Sequence, residues 1–400
     1  MPLISIKNIG AIKDSGKLLL SPVNVFCGKQ GSGKSTVAKL ISTFMWLEKA
    51  LVRKEINARE ITSEIFLQKY CGYHYIGSFF SKDSYVFYDG NACRFEYRDQ
   101  SLTIENKDIA DYKIPQIMYI PAERNFMIAV ENAEKISNLP PALTTLQNEY
   151  LKALKNAPSY KISINGYNVE YDGNTKTTWL SDSDKYRIKT FEAASGLQSF
   201  IPIAVVTEYL LEKIKKGGSK KLSAEENSKL NTEISNILDN QLLDENIRKI
   251  LIENINRRFK NECLWNIVEE PEQNLFPESQ NKVLEILLSA YNRFDGNGLI
   301  ITTHSPYILN GLSLSAMAAE LKEKFFNSKE VLKKIYKIVP ESSIVSNQDL
   351  SIFEIKNNGT IKKLKSYSGI PSDDNFLNNY LEKSNDLFDE LLGLEAEYDG

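Results

Sequence analysis

The chain has 400 residues, 42% hydrophobic and 25% charged, with a formal net charge of -3 at pH 7. This composition is that of a folded globular protein, and the net charge argues against a surface that is basic overall, so contact with nucleic acid needs a local patch. The two histidines are too few for a histidine-rich metal nuclease centre, and the four cysteines show no CxxC spacing typical of a zinc site.

The opening segment, "MPLISIKNIGAIKD", lacks the basic stretch and long apolar segment that an export signal needs. The chain also has no run approaching about 18 apolar residues, the length that crosses a bilayer. We therefore expect a cytoplasmic protein without structural disulfides and without a membrane contact.

A glycine-rich loop between a predicted strand and a predicted helix is the strongest signal. The segment "VNVFCGKQGSGKSTVAKLISTFM" fits the pattern GxxxxGK[ST], in which glycines let the backbone wrap a phosphate while amide N–H groups point inward. Lys34 is expected to neutralise the β and γ phosphates, and the Ser35 hydroxyl to ligate Mg²⁺. The predicted phosphate-binding residues are Gly28, Gly31, Gly33, Lys34, Ser35 and Thr36.

The segments after this loop predict hairpins and helices. "SYVFYDGNACRFEYRDQSLTIEN" alternates as antiparallel strands that turn at Asp89-Gly90 and near Asp99. "QIMYIPAERNFM" predicts a strand and turn, "ALTTLQNEYLKALKN" a helix, and "YKISINGYNVEYDG" another hairpin. None of these segments sustains a heptad pattern over many turns, so we expect no long coiled-coil arm.

The stretch "FEAASGLQSF" places Ala-Ser-Gly before an apolar run that predicts a helix. Taken alone, it predicts a helix whose N-cap is Ser195. The segment 213–262 that follows is polar and mostly helical with a Gly-Gly break, and is either a partner surface or a solvated lid.

A paired carboxylate ends a predicted buried strand in "CLWNIVEEPEQNLFP". Glu269 and Glu270 are adjacent at the strand end, so their side chains point in different directions. Glu269 is expected to hold the metal and Glu270 to polarise an attacking water. Asn266 is polar inside this strand and needs a buried partner.

A third strand, "GLIITTHSPYIL", ends at His304. The carboxyl ends of parallel strands gather ligand contacts. With the helix "ESQNKVLEILLSAYNRF" between the paired carboxylate and this strand, His304 is expected to contact a γ-phosphate. The catalytic residues predicted are therefore Glu270, His304 and Glu269.

Together these motifs resemble the ABC-type ATPase heads of the RecF, OLD and SMC-related group, among the AAA family ATPases. The opening strands, the turn "PAER", "ASGLQS", "EEPEQNLFPESQ" and "ITTHSPYIL" occur in the family's order from residue 1 to about 310. The resemblance implies an α/β fold, a P-loop NTPase of ABC-ATPase type, with a mixed central sheet, an antiparallel β-subdomain and a helical signature lobe. The segments 1–125, 126–262 and 263–400 are the predicted lobes.

In such heads, two copies meet head to tail and enclose two ATP molecules. The resemblance therefore implies that Ser195 and Gly196 contact the γ-phosphate bound by a second copy, and that Gln198 also belongs to the cofactor site. It also implies that Glu123 and Arg124, at the Q-loop position, belong to the cofactor site. ATP and Mg²⁺ are the cofactors implied, and the chain is expected to form an ATP-dependent homodimer or a higher homo-oligomer.

The short-armed head most resembles the ATPase subunits of anti-phage modules such as PARIS and Septu, in which the ATPase assembles and controls a separate nuclease. We expect no nuclease site in this chain. The alternative is a RecF-like DNA-repair ATPase that binds DNA directly as an ATP-closed dimer. A transporter subunit is disfavoured, because such heads place the signature much closer to the paired carboxylate.

Two further features have an open meaning. Nucleic acid could bind either of two basic clusters, of which the first contains Lys213, Lys215, Lys216, Lys220 and Lys221 and the second Arg257, Arg258 and Lys260. The end "NDLFDELLGLEAEYDG" predicts an amphipathic acidic tail, which either docks a basic partner or is a solvated terminus.

Overall fold

The structure is a computed structural model that describes residues 1–107, 112–130, 136–157, 159–164, 166–182, 186–217, 224–239, 244–258, 260–367, 370–371 and 375–398. Its strands are β1 Leu3–Ile9, β2 Ile12–Leu19, β3 Val23–Gly28, β4 Phe80–Asp89, β5 Cys93–Arg98, β6 Ser101–Asn106, β7 Pro115–Ile120, β8 Ser159–Lys161, β9 Asn168–Asp172, β10 Thr177–Asp182, β11 Tyr186–Lys189, β12 Cys263–Glu269, β13 Gly298–Thr303, β14 Leu350–Ile355, β15 Ile361–Lys363, β16 Ser366–Tyr367 and β17 Ile370–Pro371. Its α-helices are α1 Lys34–Val52, α2 Ser63–Ile65, α3 Phe126–Ala129, α4 Pro141–Asn156, α5 Ser195–Lys215, α6 Ala224–Asp239, α7 Glu245–Arg258, α8 Pro277–Asn292, α9 Pro306–Lys324, α10 Lys329–Ile338 and α11 Phe376–Tyr398.

The central sheet has six strands in the order β15-β14-β3-β13-β12-β7. All neighbours are parallel except β15, which pairs antiparallel with β14 at the edge. Every residue of β3, β13 and β14 is buried, as expected for parallel strands covered on both faces. Strands from the two ends of the chain therefore share one sheet, with the phosphate-loop strand β3 inside it.

Alternate side chains of the central strands enter two different cores. Val25 packs with the helices α5, α8 and α9, whereas Phe26, the next residue, packs with α1 and the antiparallel strands. This alternation is the period of two expected for a strand. The polar residue Asn266 also finds the buried partner it needs, because its Nδ2 donates to Thr207 Oγ1 on α5 at 2.9 Å.

A five-stranded antiparallel sheet, β2-β1-β4-β5-β6, covers α1, and it contains the predicted turns at Asp89-Gly90 and Asp99. A second antiparallel sheet, β11-β10-β9-β8, precedes α5. The predicted fold class, α/β with a mixed central sheet, an antiparallel β-subdomain and a helical lobe, is confirmed. Among the described helices, none has the length and apolar character needed to span a bilayer.

Part of the predicted basic clusters lies outside the described residues. Lys215 and Lys216 are exposed at the end of α5, and Lys260 is exposed before β12. Lys220 and Lys221, and the side chains of Arg257 and Arg258, fall outside the described part of the chain. Nucleic-acid binding there stays a prediction, as do the lobe boundaries.

Candidate functional site

The glycine-rich loop runs from the end of β3 to the start of α1. Gly28 has φ +152° and Gly33 has φ +104°, both on the side of the backbone map that favours glycine. A Cβ at Gly28 would lie 2.7 Å from the carbonyl oxygen of Ile355, and one at Gly33 would lie 2.6 Å from Cδ1 of Ile12. The loop therefore keeps its shape only with glycine at both positions. Gly31, with φ +74°, lies exposed between them.

Lys34 is the first residue of α1 and is only 5% exposed. Its ammonium donates to the carbonyl oxygens of Gly28 and Lys29, both at 3.0 Å. Burial lowers the pKa of Lys34, whereas the negative charges of Glu270 and Glu272 oppose that decrease. The ammonium in the loop and these carboxylates therefore face the same space.

Glu269 ends β12 and is 3% exposed. Its Oε2 accepts from the N–H of Ala122 at 3.4 Å, whereas its Oε1 is buried without a hydrogen-bond partner. Burial, followed by the charge of Glu269, raises the pKa of the neighbouring Tyr119 well above its ordinary value. An unpaired buried carboxylate oxygen is costly, which makes Glu269 suited to a cation.

The donor set fits Mg²⁺. This ion takes oxygen ligands and is usually bound by one or two side chains together with substrate phosphates. Ser35 is partly exposed on the first turn of α1 and offers a hydroxyl, and Glu269 offers the unpaired oxygen. Thr36 is buried against the β1–β2 turn. A Cβ atom built on Gly10 in that turn would lie 3.5 Å from Thr36 Oγ1. No group of three or more His, Cys, Asp or Glu in the described ranges could hold a metal by itself.

Glu270 sits on a left-handed backbone, with φ +43°. Such a conformation costs a non-glycine residue of order 1 kcal/mol or more and persists only when the surroundings hold it. Here the N–H of Glu270 donates to Thr302 O at 2.8 Å, and its carbonyl oxygen accepts from Arg124 Nη2 at 2.7 Å. The backbone that presents this carboxylate is therefore held on both sides.

The Glu270 side chain pairs with His304, whose Nδ1 lies 3.4 Å from Glu270 Oε1. The hydrogen bond to His304 lowers the pKa of Glu270, and the same bond raises the pKa of His304. The pair is about half buried, and each partner favours the charged form of the other.

Glu272 is a site residue to which the sequence pattern assigned no role. It is 5% exposed, and its Oε1 accepts from Thr303 Oγ1 at 2.8 Å and from the N–H of His304 at 2.9 Å. Glu272 therefore fixes the strand end that carries His304. The sequence shows Glu272 as the third acidic residue of "EEPE". Its position at the end of β13 is defined only by the fold.

The stretch around Ser195 begins α5, but Ser195 does not cap it. The N-cap is Ala194, no side-chain cap bond is made, and Ser195 is exposed on the first turn. The expected cap is therefore wrong. A Cβ at Gly196 would lie 2.6 Å from Asn274 O, so glycine is needed for packing against the loop after β12 in the same chain.

Gln198 and Arg124 are buried and donate to backbone carbonyl oxygens. Gln198 is buried, and its Nε2 donates to Phe191 O at 2.8 Å and Ala193 O at 3.0 Å, so it holds the segment before α5. Arg124 is 0% exposed and donates to Ser199 O at 2.9 Å, Glu269 O at 2.7 Å and Glu270 O at 2.7 Å. Both side chains are buried and bonded to backbone carbonyl oxygens in this structure, and the cofactor contact expected of each stays a prediction. Glu123, beside Arg124, is exposed on the turn.

The predicted phosphate loop, paired carboxylate and histidine thus follow the carboxyl ends of β3, β12 and β13, which are adjacent parallel strands. This edge is where ligands bind in open α/β sheets. Glu272 lies next to these residues in the loop after β12. Arg124 holds the backbone of the paired carboxylate, because it donates to the carbonyl oxygens of Glu269 and Glu270.

No protein-family model matches the chain, and no curated protein matches it. Among solved structures, the chain is similar to the SMC head domain from Thermotoga maritima, with 11% identity over 91% of this chain and 100% of that chain and a TM-score of 0.40. It is similar to the recombination mediator protein RecF with ATP, with 12% identity over 91% and 97% of the two chains and a TM-score of 0.29. It is also similar to a dimeric ATP-binding cassette with ADP and Pi, with 12% identity over 91% and 100% of the two chains and a TM-score of 0.30.

Proposed function

We propose that this chain is an ATPase of the ABC type that binds ATP with Mg²⁺ at the glycine-rich loop. The observation that carries the proposal is the meeting of one ammonium, Lys34, with the carboxylates of Glu269, Glu270 and Glu272 and with His304 at one edge of the sheet. A cation next to a phosphate-sized backbone loop binds phosphate, and an adjacent carboxylate accepts a proton from water.

In this proposal, Lys34 exchanges its bonds to the carbonyl oxygens of Gly28 and Lys29 for phosphate oxygens. Ser35 and Glu269 would hold Mg²⁺, which would supply positive charge that offsets the phosphates. Glu270 accepts the proton of the attacking water, since its lowered pKa keeps it ionised near neutral pH. His304, held at its backbone by Glu272, is placed to contact the transferred phosphoryl group.

We also propose that the site is completed by a second copy. Ser195 is exposed at the N-terminus of α5, a 21-residue helix, where N–H groups and the helix dipole favour an anion. Ser195 and Gly196 of one copy would contact the γ-phosphate bound by the other. ADP lacks that phosphate, so ATP and ADP would favour different assemblies.

The resemblance of the motifs to anti-phage ATPase subunits leads us to propose that the assembly controls a separate nuclease. The alternative is direct DNA binding, as in a RecF-like repair ATPase. Purification of the chain together with the products of its neighbouring genes distinguishes the two. A stable complex with a nuclease supports the first, whereas a solitary chain with salt-sensitive DNA affinity supports the second.

The ATPase proposal predicts opposite defects for two substitutions. Lys34→Ala should lose ATP binding, because it removes the phosphate cation. Glu270→Gln should bind ATP normally and hydrolyse it about 10²-fold to 10⁴-fold more slowly, the usual contribution of a general base. Nucleotide binding by fluorescence and steady-state phosphate release measure the two effects.

Glu278→Gln is the matched control, because Glu278 is exposed on the first turn of α8. Its turnover should equal that of the wild type. Unchanged ATP binding by Lys34→Ala would refute the phosphate site, and a wild-type rate in Glu270→Gln would refute the assignment of the base.

A further inference from the structure

The last helix, α11, presents an apolar stripe to solvent. Leu387, Phe388, Leu391, Leu392 and Leu394 are each between 47% and 63% exposed. At 3.6 residues per turn, these positions share one side of the helix. The described side chains between 385 and 392 are all exposed, so in this structure this part of the helix is not covered by its own chain, whereas Leu377 near the start of α11 packs on the core.

The opposite side of α11 is acidic. Asp386, Asp389 and Glu390 are exposed there, and the helix as a whole has six acidic residues and one basic residue, Lys383. Helices in proteins gain most of their stability when an amphipathic face packs, so this apolar stripe favours a covering surface. The acidic side selects a covering surface that is basic next to its apolar part.

A surface of that kind lies on α9 and α10. Its exposed apolar side chains, each between 37% and 71% exposed, are Leu314, Met317, Phe325, Phe326 and Ile338. Leu314 and Met317 face away from the core, because α9 buries its other side, including Leu312 and Ala316. We refer to these five residues and the adjoining α10 as the α9–α10 surface.

The α9–α10 surface is also basic. The segment 322–337 has six lysines and two glutamates. Val331, Leu332 and Ile335 hold α10 on α9, which leaves Lys333 and Lys337 on the exposed side. Lys322 and Lys334 pair with Glu341 and Glu330, and within the described residues Lys329, Lys333 and Lys337 have no carboxylate partner.

We propose that α11 of one copy docks on the α9–α10 surface of a second copy of this chain. The stripe on α11 would cover the exposed apolar side chains of α9, and the acidic side would face the lysines of α10. Docking of α11 on α11 is disfavoured, because it brings two acidic helices together. Reciprocal exchange of α11 closes a dimer, and one-way exchange builds a larger assembly.

The test is charge reversal in the full-length chain, without nucleotide, so that it does not depend on ATP binding. One variant combines Lys329→Glu, Lys333→Glu and Lys337→Glu on α10. The other combines Asp386→Lys, Asp389→Lys and Glu390→Lys on α11. Each should weaken self-association at least about tenfold, and a chain with both sets should regain it. Sedimentation analysis over a concentration series measures the association.

Mixing gives a second readout. The α10-reversed and α11-reversed chains should associate with one another while each fails alone, which only contact between copies allows. Leu387→Ser with Leu391→Ser should also weaken association, whereas Asn385→Ser, exposed on the same helix, should not. Circular dichroism verifies that every variant keeps its helices.

Four results would overturn the proposal. The first is a wild-type chain that stays monomeric at all concentrations, and the second is reversed chains that associate as the wild type does. The third is a doubly reversed chain that is folded yet does not associate. The fourth is a monomeric wild type whose α10 lysines bind nucleic acid instead. The Lys34→Ala variant should associate normally in this assay, which separates this proposal from the ATPase proposal.

Discussion

Glu270 has a carboxylate whose direction and charge are set by different neighbours. Its left-handed backbone is held by Thr302 O and by Arg124, and its ionisation is set first by the hydrogen bond to His304. The pKa of Glu270 falls and that of His304 rises, so the pH range in which both are charged is wider than for isolated side chains.

This coupling predicts a pH effect. In the proposed mechanism the ionised form of Glu270 is the base, and this form is lost as pH falls through the lowered pKa. His304→Ala removes the partner and raises the pKa of Glu270, so the acid limb of the kcat profile should move to higher pH. Loss of the His304 proton at high pH should also disappear from the profile. Phosphate release between about pH 3 and pH 9 measures both limbs, because the ordinary pKa of a glutamate is about 4.3 and that of Glu270 is lowered further.

Tyr307→Ala is the matched control, because Tyr307 is exposed on the first turn of α9, three residues after His304. Its acid limb should coincide with that of the wild type. An acid limb that stays in place in His304→Ala would contradict the proposed coupling.

Three elements meet at one side chain, since Arg124 connects the turn after β7, the end of β12 and helix α5. A guanidinium has five N–H donors in a fixed fork, which allows one residue to bond carbonyl oxygens in several directions. We infer that Arg124 is a positioning residue, because it acts on the backbone of Glu269 and Glu270 and on Ser199 O without being exposed itself.

Arg124→Lys keeps the charge and loses the fork, so it should uncouple these elements. We expect kcat to fall at least about tenfold while ATP affinity changes little, since Lys34 and the loop are untouched. Each hydrogen bond lost to a charged group costs about 1.5–3 kcal/mol, so stability should fall as well. Turnover per folded molecule, measured well below the unfolding transition, separates the two effects.

Arg53→Lys provides the comparison, because Arg53 is also buried, at 5% exposed, and donates to Asn261 Oδ1 at 2.6 Å, at the far end of α1. It should lose stability and keep kcat. If Arg124→Lys and Arg53→Lys lose stability equally and both keep kcat, the role of Arg124 is only structural.

At the scale of the whole molecule, Ser195 and Gly196 differ in which contact a substitution disturbs, one within the chain or one with the proposed second copy. Gly196 packs against Asn274 O of its own chain, so any substitution there disturbs the monomer. Ser195 is exposed, so a larger side chain there is tolerated by the monomer and obstructs only an incoming surface. Ser195 is therefore the position that tests assembly through ATP.

Ser195→Trp should bind ATP within about twofold of the wild type and lose turnover. An equal mixture with Lys34→Ala should regain turnover, up to about a quarter of the wild-type rate, because a mixed pair has one complete site. Lys215→Trp, exposed near the other end of α5, should behave as the wild type does. Normal turnover by Ser195→Trp alone would contradict a contact in trans.

The sequence by itself determined the motifs that are local: the glycine loop between β3 and α1, Glu269 and Glu270 at the end of β12, and His304 at the end of β13. Each depends on a few residues at fixed spacing, so the strand-to-turn pattern predicted both the element and the position of the side chain on it. The antiparallel turns at Asp89-Gly90 and Asp99 were predictable for the same reason.

Only the tertiary structure decided which residues support these motifs. Arg124 bonds carbonyl oxygens more than 70 positions away in the chain, Gly196 packs against Asn274, and Glu272 holds the backbone of His304. Backbone carbonyls and close packing have no residue code, because every residue has the same backbone groups. Such contacts are defined when distant segments come together, so the fold reveals them and the sequence pattern does not.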